Sequence, residues 1–217
     1  FGKTMAVTML AAYYSKGCHS EKLFAGLKIS QNEFFKVHLN KYNVIFLDIQ
    51  WMYGIALEEM KRNSTLEVVS YIQEQVIAEL REEYSEYVQG DDISLPSVLA
   101  KINVMTKEQF IIIIDEWDYI FREYSQNKEA QNQYLDFLRN LLKEKPYIEL
   151  AYMTGILPIK KYGTHSALNV FDEISMIDPG ILYEFMGFTE KEVKNLCAKY
   201  DVSFDILKQW YDGYQLT

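Results

Sequence analysis

Cysteine is nearly absent from this chain. Two cysteines among 217 residues, Cys18 and Cys197, are too few for a disulfide frame. His19 and His38 stand at no metal-ligand spacing from either, so a zinc site is excluded and a reduced, cytoplasmic setting fits. Proline (4) and glycine (10) are also sparse, which rules out collagen-like and low-complexity material. Basic charge is in deficit: 22 Lys and Arg face 31 Asp and Glu, for a net charge of −9. Direct nucleic-acid binding by this segment is therefore not expected, because gripping a phosphate backbone takes a surplus of cations. Long apolar runs are missing too. The longest aliphatic stretch, Ile111 to Ile114, is strand-sized, so neither a membrane span nor a signal peptide is read.

What remains is ordinary globular material, 49% hydrophobic and 24% charged. Short apolar strands alternate with longer amphipathic stretches, which predicts an α/β fold with a mostly parallel sheet. A first helix runs from Lys3 to Tyr14, free of Pro and Gly. Val44 to Ile49 reads as a buried strand. Ser64 and Glu67 form a capping box for a long helix carrying Leu66, Val69, Ile72, Val76, Leu80, Tyr84 and Tyr87 at spacings of three and four. A short helix is expected over Ser94 to Ile102, a buried strand over Phe110 to Ile114, and a helix over Ala130 to Lys145 that Pro146 stops. A strand follows from Ile148 to Met153. Beyond Pro179 the texture becomes helical: Thr189 and Glu192 make a second capping box, and Ser203 caps a helix that passes Trp210 and stops at Gly213. The expected division is 1–180 for the core and 181–217 for the start of a helical lid.

Chemistry concentrates at three places. Phe1-Gly2-Lys3-Thr4 matches the second half of G-x-x-x-x-G-K-[ST], so the phosphate-binding loop is expected to begin upstream, on a strand that is not part of the chain. There Gly2 lets the backbone approach phosphates, Lys3 reaches the β- and γ-phosphates, and Thr4 ligates Mg²⁺. A glycine turn before a helix that happens to start with lysine is the alternative. The strand Phe110–Ile114 runs straight into Asp115-Glu116. Asp115 would hold the Mg²⁺ shell, and Glu116 would orient and deprotonate the attacking water. Thr154, at the tip of the next strand, is placed to hold the lytic water or sense the γ-phosphate; a strand exit without chemistry is the other reading.

Four motifs occur in order: Phe1-Gly2-Lys3-Thr4, Ile114-Asp115-Glu116-Trp117-Asp118, Thr154-Gly155-Ile156-Leu157-Pro158-Ile159 and Trp210-Tyr211-Asp212-Gly213-Tyr214. Together they resemble the predicted AAA-ATPase-like family of bacterial proteins, over essentially the whole chain. The resemblance implies a three-layer P-loop NTPase with sheet order 5-1-4-3-2, its first strand missing, binding ATP with Mg²⁺. It places roles on Gly2, Lys3, Thr4, Asp115, Glu116 and Thr154. It also implies a restriction-endonuclease-like domain beyond Thr217.

Other residues stay unassigned. Arg62, Arg122 and Arg139 are candidate arginine fingers, but a finger is defined by geometry across an interface, such as that of a homo-oligomer. Lys160, Lys161 and His165 follow the third strand, where a sensor loop could lie; a satisfied loop histidine is the simpler reading of His165. The 17 tyrosines read as core and rim, since no basic groove accompanies them. Three functions are therefore open: a Mg²⁺-dependent ATPase that drives or gates an attached domain, a nucleotide-gated interaction module with slow hydrolysis, and a P-loop phosphotransferase. The adjacent Asp115-Glu116 favours water as the acceptor.

Overall fold

The computed structural model describes residues 2–58, 65–159, 171–175, 178, 180, 182 and 188–211. The chain divides into two compact units, Phe1–Val170 and Phe171–Thr217.

The first unit opens with α1 (Lys3–Tyr14), followed by short helices α2 (Glu21–Phe24) and α3 (Phe35–His38) with a 3-10 turn at Lys28–Gln31 between them. Strand β1 (Asn43–Asp48) leads into α4 (Ile49–Glu58), α5 (Thr65–Glu83) and α6 (Leu95–Thr106). Strand β2 (Phe110–Asp115) is followed by α7 (Tyr119–Glu123) and α8 (Lys128–Leu142), and β3 (Ile148–Met153) follows these. The second unit holds α9 (Glu190–Tyr200) and α10 (Phe204–Tyr211) among its described residues.

The three strands form a parallel sheet in the order β1-β2-β3, with Val44 opposite Ile111 and Ile114 opposite Met153. Every residue of β2 is buried, as expected of an aliphatic run covered on both faces. On one face Ile111 and Ile113 pack against Val7 of α1. On the other, Tyr84 at the end of α5 meets Phe110 edge-on, with ring centroids 6.3 Å apart. The α5 stripe of Val69, Ile72, Val76 and Leu80 is buried at the spacing that its sequence predicts. Among the described residues no helix is long and apolar enough to cross a membrane.

Several boundaries move. The strand read to Ile49 stops at Asp48, whose Oδ1 accepts the Trp51 N–H at 2.9 Å and starts α4, a helix the sequence reading did not contain. The short helix read to Ile102 continues to Thr106, where Lys107 ends it in a left-handed turn at φ 63°. The five-strand order implied by the resemblance would need a further strand; residues 173–175 form none, and 176 and 177 lie outside the described residues. Ser64, Arg62, Lys160, Lys161, His165 and the Asp212–Tyr214 part of the last motif also lie outside them. The second capping box forms, with Thr189 and Glu192 bonding each other's backbone N–H.

One side chain fixes the end of α1. Asn40 adopts a left-handed φ of 55°, and its Nδ2 donates toward the carbonyls of Ala12 (3.0 Å), Tyr13 (3.3 Å) and Ser15 (3.0 Å). Its Oδ1 accepts the Ser20 N–H at 3.2 Å. These carbonyls are the ones a helix terminus leaves without partners. Beyond them, Tyr42 N–H donates to Tyr14 O (2.9 Å) and Lys16 N–H to Tyr42 O (2.8 Å), a parallel bridge between Ser15 and Tyr42. The C-terminal end of α1 is thereby pinned beside the amino end of β1. Asn40→Asp should lower stability by about 2–3 kcal/mol, because an ionised carboxylate cannot donate to those carbonyls and repels them. Asn40→Gly, which relaxes the backbone, should cost less; urea unfolding midpoints of the two variants check the order.

Candidate functional site at the carboxyl edge of the sheet

At its last residue β2 exchanges aliphatic side chains for a carboxylate. Asp115 is 1% exposed, and its Oδ1 accepts the Glu116 N–H at 3.0 Å together with the hydroxyl of Thr154. Thr154 continues the ladder one step past β3: its N–H donates to Ile114 O (2.9 Å), and its carbonyl accepts the Trp117 N–H (3.0 Å). Two residues 39 positions apart thus become neighbouring strand tips. Asp115 Oδ2 accepts no hydrogen bond from the described residues.

Glu116 turns the chain sharply, at φ 51°, a left-handed conformation that costs a residue with a Cβ about 1–2 kcal/mol. Its own N–H and that of Trp117 are both anchored, which holds the turn in place. The Glu116 carboxylate is paired with Arg122, one turn into α7. Arg122 also reaches Asp118, with Nε 3.2 Å from Oδ2.

Asp118 is the side chain the sequence reading passed over. It is fully buried, and its Oδ2 accepts the N–H groups of Ile156 (3.1 Å) and Leu157 (2.9 Å). The acid motif and the Thr154–Ile159 motif are therefore two halves of one construction, joined by a charge-assisted pair of backbone bonds. Gly155 lies where they meet. A Cβ there would come within 2.5 Å of Trp117 Nε1 and 2.6 Å of Asp118 Oδ1, so only glycine fits. Three buried atoms at this junction, Asp118 Oδ1, Arg122 Nε and Tyr134 Oη, have no hydrogen-bond partner. Burial, and then the Asp118 carboxylate, push the Tyr134 phenol above its ordinary pKa.

The remaining predicted residues belong to α1. With its C-terminal end at the amino end of β1 and Val7 on Ile111 and Ile113, α1 runs antiparallel to the strands. Twelve helical residues span about 18 Å and a six-residue strand about 20 Å, so the first turn of α1 is directed to the carboxyl edge. Gly2 precedes it in a left-handed conformation (φ 83°), and no side chain caps the helix. Lys3 is half-buried and Thr4 exposed. Asp115 and Thr154 are thus brought into direct contact and the Glu116 carboxylate turns to Arg122, whereas no hydrogen bond joins Gly2, Lys3 or Thr4 to any of the three.

Other candidates separate. Arg139 pairs with Asp136 on its own helix, and His38 Nδ1 lies 2.6 Å from Tyr42 Oη, a satisfied structural histidine. Among the described residues no cluster of three His, Cys, Asp or Glu could hold a metal by protein ligands alone. A lone carboxylate and a hydroxyl suit Mg²⁺ instead, since it keeps most of its ligands as water and phosphate oxygen. Trp210 and Tyr211, in the second unit, are 79% and 82% exposed. Asp118 carried a legible signal after the fact: an acid four residues before Arg122 at the start of a short helix.

Gly155→Ala should destabilise the first unit by about 2 kcal/mol, since the added methyl meets a packed indole and a fully buried carboxylate. A lower urea midpoint, with a shift in the emission of Trp117, checks it.

A family model described as "Predicted AAA-ATPase" matches residues 1–164. No curated protein and no solved structure matches the chain. The matched span covers α1, the whole sheet and both motifs joined by Asp118, and on that basis the chain belongs to the predicted AAA-ATPase-like family.

Proposed function

We propose that the chain is a nucleotide-dependent module that binds ATP with Mg²⁺ at the carboxyl edge of its sheet and hydrolyses it. The observation that carries this reading is the tip of β2, where Asp115 keeps one oxygen unengaged beside Thr154 on the edge toward which the uncapped start of α1 is directed. Gly2 brings the backbone close to phosphate, the ammonium of Lys3 neutralises the β- and γ-oxygens, and the Thr4 hydroxyl and Asp115 hold the metal. Mg²⁺, when bound, neutralises charge that develops on the phosphates. Glu116 receives the proton of the attacking water. The released free energy drives or gates an attached domain, nuclease-like by the family resemblance.

One observation favours a second reading, in which hydrolysis is slow and the bound state recruits partners. The Glu116 carboxylate is ion-paired through Oε2 with Arg122, a contact it would have to share or exchange in order to turn to an attacking water. Turnover separates the two: sustained phosphate release supports the first reading, and tight binding with near-zero release supports the second.

Lys3→Ala should weaken ATP binding by at least about 10-fold in titration calorimetry, because the cation facing the phosphates is gone. Unchanged affinity would remove Lys3 from the site.

Glu116→Gln should retain ATP binding and lower phosphate release at least about 10²-fold, the usual scale for a lost general base. Asp115→Asn should instead weaken the Mg²⁺-dependent part of binding. Wild-type turnover in both variants would make this strand tip structural.

A further inference from the structure

Strand β1 is an edge, and its outward side is half used. The Phe110 N–H donates to Tyr147 O and Ile114 O accepts the Thr154 N–H, so the even-numbered residues of β2 face β3. Its odd-numbered residues then face β1 and, through the register Val44 to Ile111, bond Asn43, Ile45 and Leu47. The main-chain groups of Tyr42, Val44 and Phe46 must therefore point away from the sheet. Tyr42 is already paired, by Tyr14 O and Lys16 N–H, which begin a fourth strand one bridge long before the chain leaves at Gly17. At Val44 and Phe46 the outward N–H and C=O groups have no partner among the described residues.

The space where that fourth strand would continue is a trough of about 940 Å³ lined by all six residues of β1. Its length, from Tyr42 to Asp48, is about 20 Å at the rise of a strand. The far wall is α5, which offers the apolar side chains of Tyr71, Val76 and Leu80. Phe46 and Trp51, 40% and 62% exposed, stand at the near rim. The charges around the trough are unbalanced: Asp48, Glu79 and Glu83 face one ammonium, Lys16, which pairs with Glu83 at 3.4 Å. Glu79 makes no ion pair among the described residues.

We propose that this trough is a strand-addition site for an extended, basic peptide segment, whose main chain continues the ladder begun at Ser15. Its Lys or Arg side chains turn toward α5 and meet Glu79 and Glu83, and its alternate apolar side chains lie on the other face beside Phe46. Main-chain bonds supply affinity in this mode of recognition, and the flanking side chains supply selectivity. A free strand edge is a template for pairing, and nothing on β1 blunts it: it carries no proline, lysine or bulge. The proposal is independent of the nucleotide reading, because no residue assigned to phosphate, metal or water lines the trough.

The test uses fluorescein-labelled octapeptides and anisotropy titration of the protein without nucleotide. A peptide of alternating Lys and Val should bind saturably, and one of alternating Glu and Val at least about 10-fold more weakly. N-methylation of every second amide, in two separate phases, should abolish binding in one phase and spare it in the other. The double variant Glu79→Gln/Glu83→Gln should weaken the Lys/Val peptide about 5-fold with an unchanged urea midpoint, since both carboxylates are exposed. Phe46→Pro, which removes an outward N–H without touching the β1–β2 ladder, should do the same by another route. No saturable binding, indifference to peptide charge, or tolerance of N-methylation in both phases would overturn the proposal. Concentration-dependent self-association that Phe46→Pro abolishes, with no peptide binding, would overturn it in favour of a second copy as the occupant.

Discussion

A carboxylate with no exposed surface, Asp118, holds the carboxyl edge of this sheet together. Burying an ion is costly unless hydrogen bonds and an opposite charge replace its water. Asp118 has both, in the Ile156 and Leu157 N–H groups and the Arg122 guanidinium. Through these bonds the exit of β3 is fixed against the exit of β2, and Thr154 is delivered to Asp115. Gly155 follows from the same constraint, because the two exits approach too closely for any Cβ. Removing one partner of such a pair is far costlier than never having had it, so the arrangement is held as a unit.

The other end of the same helix-and-sheet layer is governed by neutral hydrogen bonds. Asn40 meets three carbonyls at the end of α1, and the Ser15–Tyr42 bridge ties that end to the amino side of β1. Direction at one edge becomes position at the other, because a helix and the strands beneath it are of similar length. The left-handed turns at Asn40, Gly2 and Glu116 mark the places where the chain is steered.

Much of this was legible because burial imposes period. The β2 run Phe110–Asp115 read as a covered strand with an acid tip, and α1, α8 and β3 emerged close to their expected limits. α4 was missed because Val44 to Ile49 passes without a break into Trp51, Met52 and Tyr53, so no change of period announces the helix. The bond from Trp51 N–H to Asp48 marks the change, and it is a three-dimensional event. At the site, the acids were found from their position after an aliphatic run, whereas Asp118 looked like an ordinary turn residue. Its meaning depends on Ile156 and Leu157, which lie 38 and 39 residues away. Arg122 was one of three equivalent arginines in the sequence and is singled out by the two carboxylates it touches.

The hydroxyl of Thr154 has a single proton, and that proton is spent on Asp115. What Thr154 can still offer to anything on its open side is a pair of lone pairs, so it must be met by a donor. A phosphate oxygen brings no proton and would face oxygen against oxygen, whereas a water molecule would turn one of its hydrogens inward. Under the proposed function, that polarity would suit Thr154 to orient water and would leave the contact with phosphate to groups that carry protons of their own.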